Sequence, residues 1–123
     1  MAFVLSKSAT YLWPVRISLA TDGGKQTIET FDAEFRRLPQ SRINEIVRQA
    51  KAAERGRLDD EEQLEDADVV REIVAGWSDV KDADGEQIPF SSAKLTELLE
   101  IPTVAGQIVK AWFESLKEGK RKN

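Results

Sequence analysis

Asp82-Ala83-Asp84-Gly85 is the stretch of this chain most suggestive of chemistry, because alternating carboxylates ahead of a glycine form the middle of a calcium-binding loop. Such a loop also needs a carboxylate at its first position and a bidentate one at its twelfth. With Gly85 in the sixth place, those positions fall on Val80 and Ser91, and neither supplies one. The segment therefore reads as a tight turn, where Asp and Gly have backbone reasons of their own to sit. The chain contains neither histidine nor cysteine, which excludes thiolate and imidazole metal sites, disulfides, and every Ser-His or Cys-His nucleophile. Acid-base work by carboxylates needs one whose pKa is raised by an apolar pocket or a crowding like charge. Glu97, Glu100 and Glu114 fall instead where helical spacing predicts solvent. Gly23-Gly24 sits between two strand-like runs and leads into no helix, so it makes no phosphate cradle. The expectation is a non-enzymatic protein with no catalytic residue, no cofactor and no metal.

What remains is apolar contact. The aromatics Trp13, Phe31, Phe35, Trp77, Phe90, Trp112 and Phe113 are spaced mostly as core residues. The last stripe, Ile108, Trp112, Phe113 and Leu116, precedes a basic run and is the candidate partner-binding surface. Seven acidic residues between Asp59 and Asp68 read as a solvated helix start, the alternative being a docking face for a basic partner.

These residues must be positioned by one modest domain, since 123 residues fall within the usual size of a single core. The net charge of -4 works against a sequence-independent phosphate-binding surface, so nucleic acid is not an expected partner. No apolar run approaches the roughly 20 residues that span a bilayer. The opening Met1-Ala2-Phe3-Val4-Leu5 lacks the features of a signal peptide, and the expected location is the cytoplasm.

Trp13, Val15, Ile17 and Leu19 alternate with Pro14, Arg16 and Ser18 in the period of a half-buried strand, with Pro14 at an edge or at the strand's start. Asp22-Gly23-Gly24 then turns the chain, and a second strand returns from Lys25 to Phe31. Phe31, Ala33 and Phe35 keep one parity while Ile28 has the other, which predicts a bulge or register change near Glu29. After Leu38-Pro39 the spacing of Ile43, Ile46, Val47, Ala50 and Ala53 predicts an amphipathic helix that stops at Gly56. A second helix is expected from Asp59-Asp60, carrying Leu64, Ala67, Val70, Ile73, Val74 and Trp77 on one stripe. Ser91 or Ser92 caps a short helix bearing Leu95, Leu98 and Leu99, and Pro102 at a first turn opens the last helix. The fold class is thus α+β, an N-terminal β-hairpin packed on about four α-helices. As one domain it divides into an arm (1–12), the hairpin (13–35), a helical part (40–116) and a flexible basic tail (117–123).

Taken in order, Trp13-Pro14-Val15, Asp22-Gly23-Gly24 and the run from Thr30-Phe31-Asp32-Ala33-Glu34-Phe35 to Leu38-Pro39-Gln40-Ser41 resemble the front half of phage tail assembly chaperones. The back half is similar too, through Ile73-Val74-Ala75-Gly76-Trp77, Asp84-Gly85, Ile88-Pro89-Phe90-Ser91, Ile101-Pro102 and a final aromatic helix. The resemblance runs from about Trp13 to Leu116. It implies a non-catalytic protein of a phage or prophage that keeps the tape measure protein soluble, helps tail tube subunits assemble around it, and self-associates. It also implies a second, longer product made by ribosomal frameshifting near the end of the reading frame. Glu118-Gly119-Lys120 admits a G-GGA-AAG heptamer and Arg121-Lys122-Asn123 an A-AAA-AAC one; the alternative is a plain basic tail. A different class of reading is a structural tail component, such as a tail terminator or head-tail connector subunit. An antitoxin-like DNA-binding module is disfavoured, because Arg36-Arg37 and the Lys120 to Lys122 cluster are too few to form a basic face.

Overall fold

The computed structural model describes residues 9–54 and 65–121, without the side chains of 53, 54 and 118–121. Its α+β architecture is a three-stranded antiparallel sheet of order β1-β2-β3 with four α-helices. β1 (Thr10–Thr21) and β2 (Lys25–Arg36) form the expected hairpin, joined by Asp22–Gly24, where Gly23 and Gly24 both take φ of 76°. The pairing is unbroken from Thr10 opposite Arg36 to Thr21 opposite Lys25, so the bulge expected near Glu29 is absent. Ile28 keeps its parity by facing outward, 51% exposed. The register shift lies instead between Glu34 and Phe35, on the side of β2 that pairs with β3.

The alternation decides which face is covered. Tyr11, Trp13 and Val15 lie opposite Phe35, Ala33 and Phe31, and this face carries the core. Helix α4 (Val104–Arg121) packs against β1 and against α2 (Asp66–Ile73), which also touches β2 and β3. Helix α1 (Gln40–Glu54) starts directly after Pro39 and adds Ile46 to the same cluster. Its Ala50, expected on the apolar stripe, is exposed.

β3 (Val74–Ser78) corrects the sequence reading, which carried the second helix through Val74 to Trp77. The helix ends at Ile73, and Val74 is already extended at φ -97°, ψ 118°. A cation from another element occupies the end: Nη1 of Arg36 donates to the carbonyls of Glu72 and Val74 at 3.0 Å and of Arg71 at 3.3 Å. Positive charge and donors at a helix C-terminus satisfy carbonyls that have no partner within the helix. The released chain then pairs with β2. Gly76 lies opposite Glu34, and a Cβ there would sit 2.8 Å from Glu34 Oε1. The absent side chain lets the Glu34 carboxylate cross the strand, with its Oε2 accepting from Thr10 Oγ1 at 2.7 Å.

Pro14 fits where the sequence placed it. The Ser18 N–H and C=O both reach away from β2 to the side-chain amide of Gln107, at 2.7 and 2.9 Å. Pro14 shares Ser18's parity, so its missing N–H faces the free edge and leaves the β2 ladder intact. Pro102 is a smaller correction: it lies in the turn before α4, whose first helical residue is Val104. The α4 backbone stays helical to Arg121, past the point where a tail was expected from Lys117. Met1–Leu5, Gly56, Asp59-Asp60 and Leu64 lie outside the described residues.

Candidate apolar cleft

Trp77 is the wall of the candidate site. Its ring meets Phe31 edge-on at 6.3 Å between centroids and Phe90 at 5.0 Å, while its Nε1–H donates to the Ile88 carbonyl at 2.8 Å. Three contacts fix one indole, leaving its remaining surface to line an opening. The loop after β3 is held by its own bonds. Asp82 Oδ1 accepts from the amides of Asp84 and Glu86 at 2.9 and 3.0 Å, and Ile88 N–H donates to Val80 at 2.7 Å. The Asp82-Ala83-Asp84-Gly85 segment is thus the tight turn that the sequence implied, its first carboxylate engaged by backbone amides. Helix α3 (Ser92–Leu99) closes the other side, capped by Ser91 Oγ, which accepts from Lys94 N–H at 3.1 Å.

Between these elements lies a half-open cleft of about 300 Å³. Its apolar lining includes Ile17, Leu19, Phe31, Leu98, Ile101 and Val104, and Ile101 is 40% exposed. Charged side chains line it too: Glu29, Asp79, Lys81, Lys94 and Glu97, of which Lys94 and Glu97 pair with each other at 2.9 Å. Such a surface binds by covering apolar area, with charge available to orient what is covered.

The expected α4 stripe is placed differently. Ile108 and Trp112 are each 1% exposed and belong to the core. Phe113 and Leu116 are half-buried beside them, with the Phe113 ring 5.1 Å from that of Trp112. The backbone of Glu118, Gly119 and Lys120 continues the same helix. Near this end Tyr11 stacks edge-on against Phe35 at 5.8 Å and donates to Ser115 Oγ at 2.7 Å. Ser115 supplies its own proton to the Trp112 carbonyl at 2.6 Å, which makes the tyrosine the donor.

The strongest electrostatic feature lies apart from the cleft. Arg42 of α1 grips Glu72 of α2 through Nε at 2.7 Å and Nη2 at 2.8 Å. Those hydrogen bonds hold the Glu72 carboxyl below the ordinary carboxylate range against the opposing effect of burial. They also raise the guanidinium pKa. The pair ties two helices whose connecting residues, 55–64, lie outside the described part.

With this geometry in hand, comparison with family models matches residues 30–116 to the YdaY prophage protein family. The chain belongs to that family. It is a prophage protein, which agrees with the phage origin expected from its sequence. The match takes in β2 from Thr30 onward, β3, α3 and the first part of α4, and with them every cleft-lining residue except Ile17, Leu19 and Glu29. Comparison with curated proteins and with solved structures gave no match. Among the described residues no helix is long and apolar enough to cross a membrane.

Proposed function

We propose that this prophage protein is a tail assembly chaperone, which binds the tape measure protein, keeps it soluble and assists assembly of the tail tube around it. One observation carries the reading: a half-open apolar cleft lined mostly by residues of the family-matched region. Its action is holding, with no bond made or broken, in a chain that has neither imidazole nor thiol for nucleophilic work. A long helical protein exposes apolar stripes until the tube encloses it, and a coat of small acidic subunits would mask those stripes while adding mutual repulsion. In this reading the cleft, rather than Ile108 and Trp112, makes the contact, with Phe113 and Leu116 as a lesser apolar margin. Binding occurs in the host cytoplasm by self-associating copies, and frameshifting at Glu118-Gly119-Lys120 yields the longer product.

Co-expression with the gene product encoded immediately downstream tests the holding role. That partner should be soluble only when this chain is present, and insolubility in both cases overturns the reading. Mass spectrometry of purified particles should find the chain missing. Stoichiometric recovery there would assign it to the tail structure, as a terminator or connector subunit. Sequencing the last codons for either slippery heptamer decides the frameshift.

A further inference from the structure

The cleft's size and charge narrow what it holds. At about 300 Å³ it has twice the volume of the ~150 Å³ cavity that admits one benzene-sized group, so it takes about two large side chains and not a whole helix. Two residues four apart on a helix present such a pair on one side, about 5–6 Å from each other. Of the five charged lining residues, Lys94 and Glu97 neutralise each other, leaving Glu29 and Asp79 against Lys81. Among the described residues neither Glu29 nor Asp79 forms an ion pair. The mouth is therefore acidic, with carboxylates from two separate elements.

Asp79 adds a second, independent observation. Its φ is 65°, in the left-handed region that glycine, asparagine and aspartate adopt most readily. The chain leaves β3 through this conformation with a carboxylate in place, and that carboxylate lines the cleft.

We infer that the cleft receives an amphipathic helix of the held partner, with two large aliphatic side chains one turn apart in the pocket and lysine or arginine beside that stripe, facing Glu29 and Asp79. The inference rests on the holding role and specifies its ligand. Apolar burial supplies most of the attraction, and the acidic mouth selects orientation and rejects acidic flanks.

The test is calorimetric titration of the full chain with two synthetic amphipathic helices that share one leucine stripe and differ only in carrying lysine or glutamate flanks. The lysine-flanked peptide should bind roughly tenfold tighter, the scale of two charge pairs at a partly desolvated rim, and added salt should shrink the preference. Glu29→Gln with Asp79→Asn should abolish the preference, and Leu98→Gln should weaken both peptides. If Leu98→Gln lowers the melting temperature, Asp79→Asn keeps the test sound, because asparagine tolerates the same positive φ. Equal affinity for the two peptides, binding of neither, or a preference that survives the double variant overturns the inference. Co-expression separates the two levels: failure of the unaltered chain to solubilise its partner sinks the holding role. Success by the unaltered and altered chains alike sinks only the cleft assignment.

Discussion

The apolar face of the sheet is sealed at one end and bordered by a half-open cleft at the other. Across Tyr11, Val15 and Phe35 lies α4, eighteen residues long, with its own Trp112 only 1% exposed. Ile17, Leu19 and Phe31 line the cleft together with Leu98 of α3, only eight residues long, with Val104 at the start of α4 and with the loop after β3. Both ends carry aliphatic and aromatic side chains of the same kinds. The difference teaches that hydrophobic composition does not by itself mark a binding surface; the length of the element available to cover it does. A full-length helix turns its stripe into core, and a short one leaves an opening.

Substitutions can break or sharpen this contrast. Trp112→Ala should cost the most, about 3–5 kcal/mol, read as a lower denaturation midpoint in urea. A loss below about 1 kcal/mol would mean that α4 does not close its end. Two isoleucines give a matched comparison: Ile108→Ala should cost about 2–5 kcal/mol, whereas Ile101→Ala, at 40% exposure, should change stability by about 0.5 kcal/mol or less while weakening capture of the partner. Similar losses at both positions would erase the distinction between the two ends. Gln107→Ala removes both bonds to Ser18 and should cost about 1–2 kcal/mol, with faster hydrogen exchange at the Ser18 amide.

The smallest effect is expected from Glu72→Gln, about 1 kcal/mol or less at neutral pH, since both partners of the ion pair are about one-third exposed. The folded-state pKa of Glu72 is depressed. Its contribution is therefore present above the unfolded value, near 4.5, and is lost as pH falls through the lower folded value. The stability gap between the unaltered chain and the glutamine variant should narrow below about pH 4.5. A gap that stays constant down to acid unfolding would contradict the assignment.

Local signals carried much of the fold. Period-two alternation and Asp22-Gly23-Gly24 predicted the hairpin, Pro14 an edge or a strand's start, Ser91 or Ser92 the cap of α3, which is Ser91, and the Ile108-to-Leu116 spacing the last helix. β3 was hidden because Val70, Ile73, Val74 and Trp77 are spaced three and four apart, the same signature as a helical stripe. What ends the helix is Arg36, more than thirty residues earlier, and no local rule detects a capping group that folding brings from another strand. Ile28 misled for a simpler reason: an exposed isoleucine costs little, so the strand kept its register instead of bulging to bury it. The cleft was not legible as a site, because its lining comes from Ile17, Phe31, Trp77, Leu98 and Ile101, residues that are adjacent only after folding. Ile17, Phe31, Trp77 and Leu98 each read separately as core.

The Gln107 amide has a consequence for crowding. Along the open side of β1, alternate residues point their peptide groups outward, and an incoming strand would need several of them in succession. At Pro14 it finds no donor, and at Ser18 it finds both groups already taken. Arg16, of the same parity, lies between these two positions. Between Pro14 and Ser18 the outer edge of β1 is thereby a poor template for an added strand.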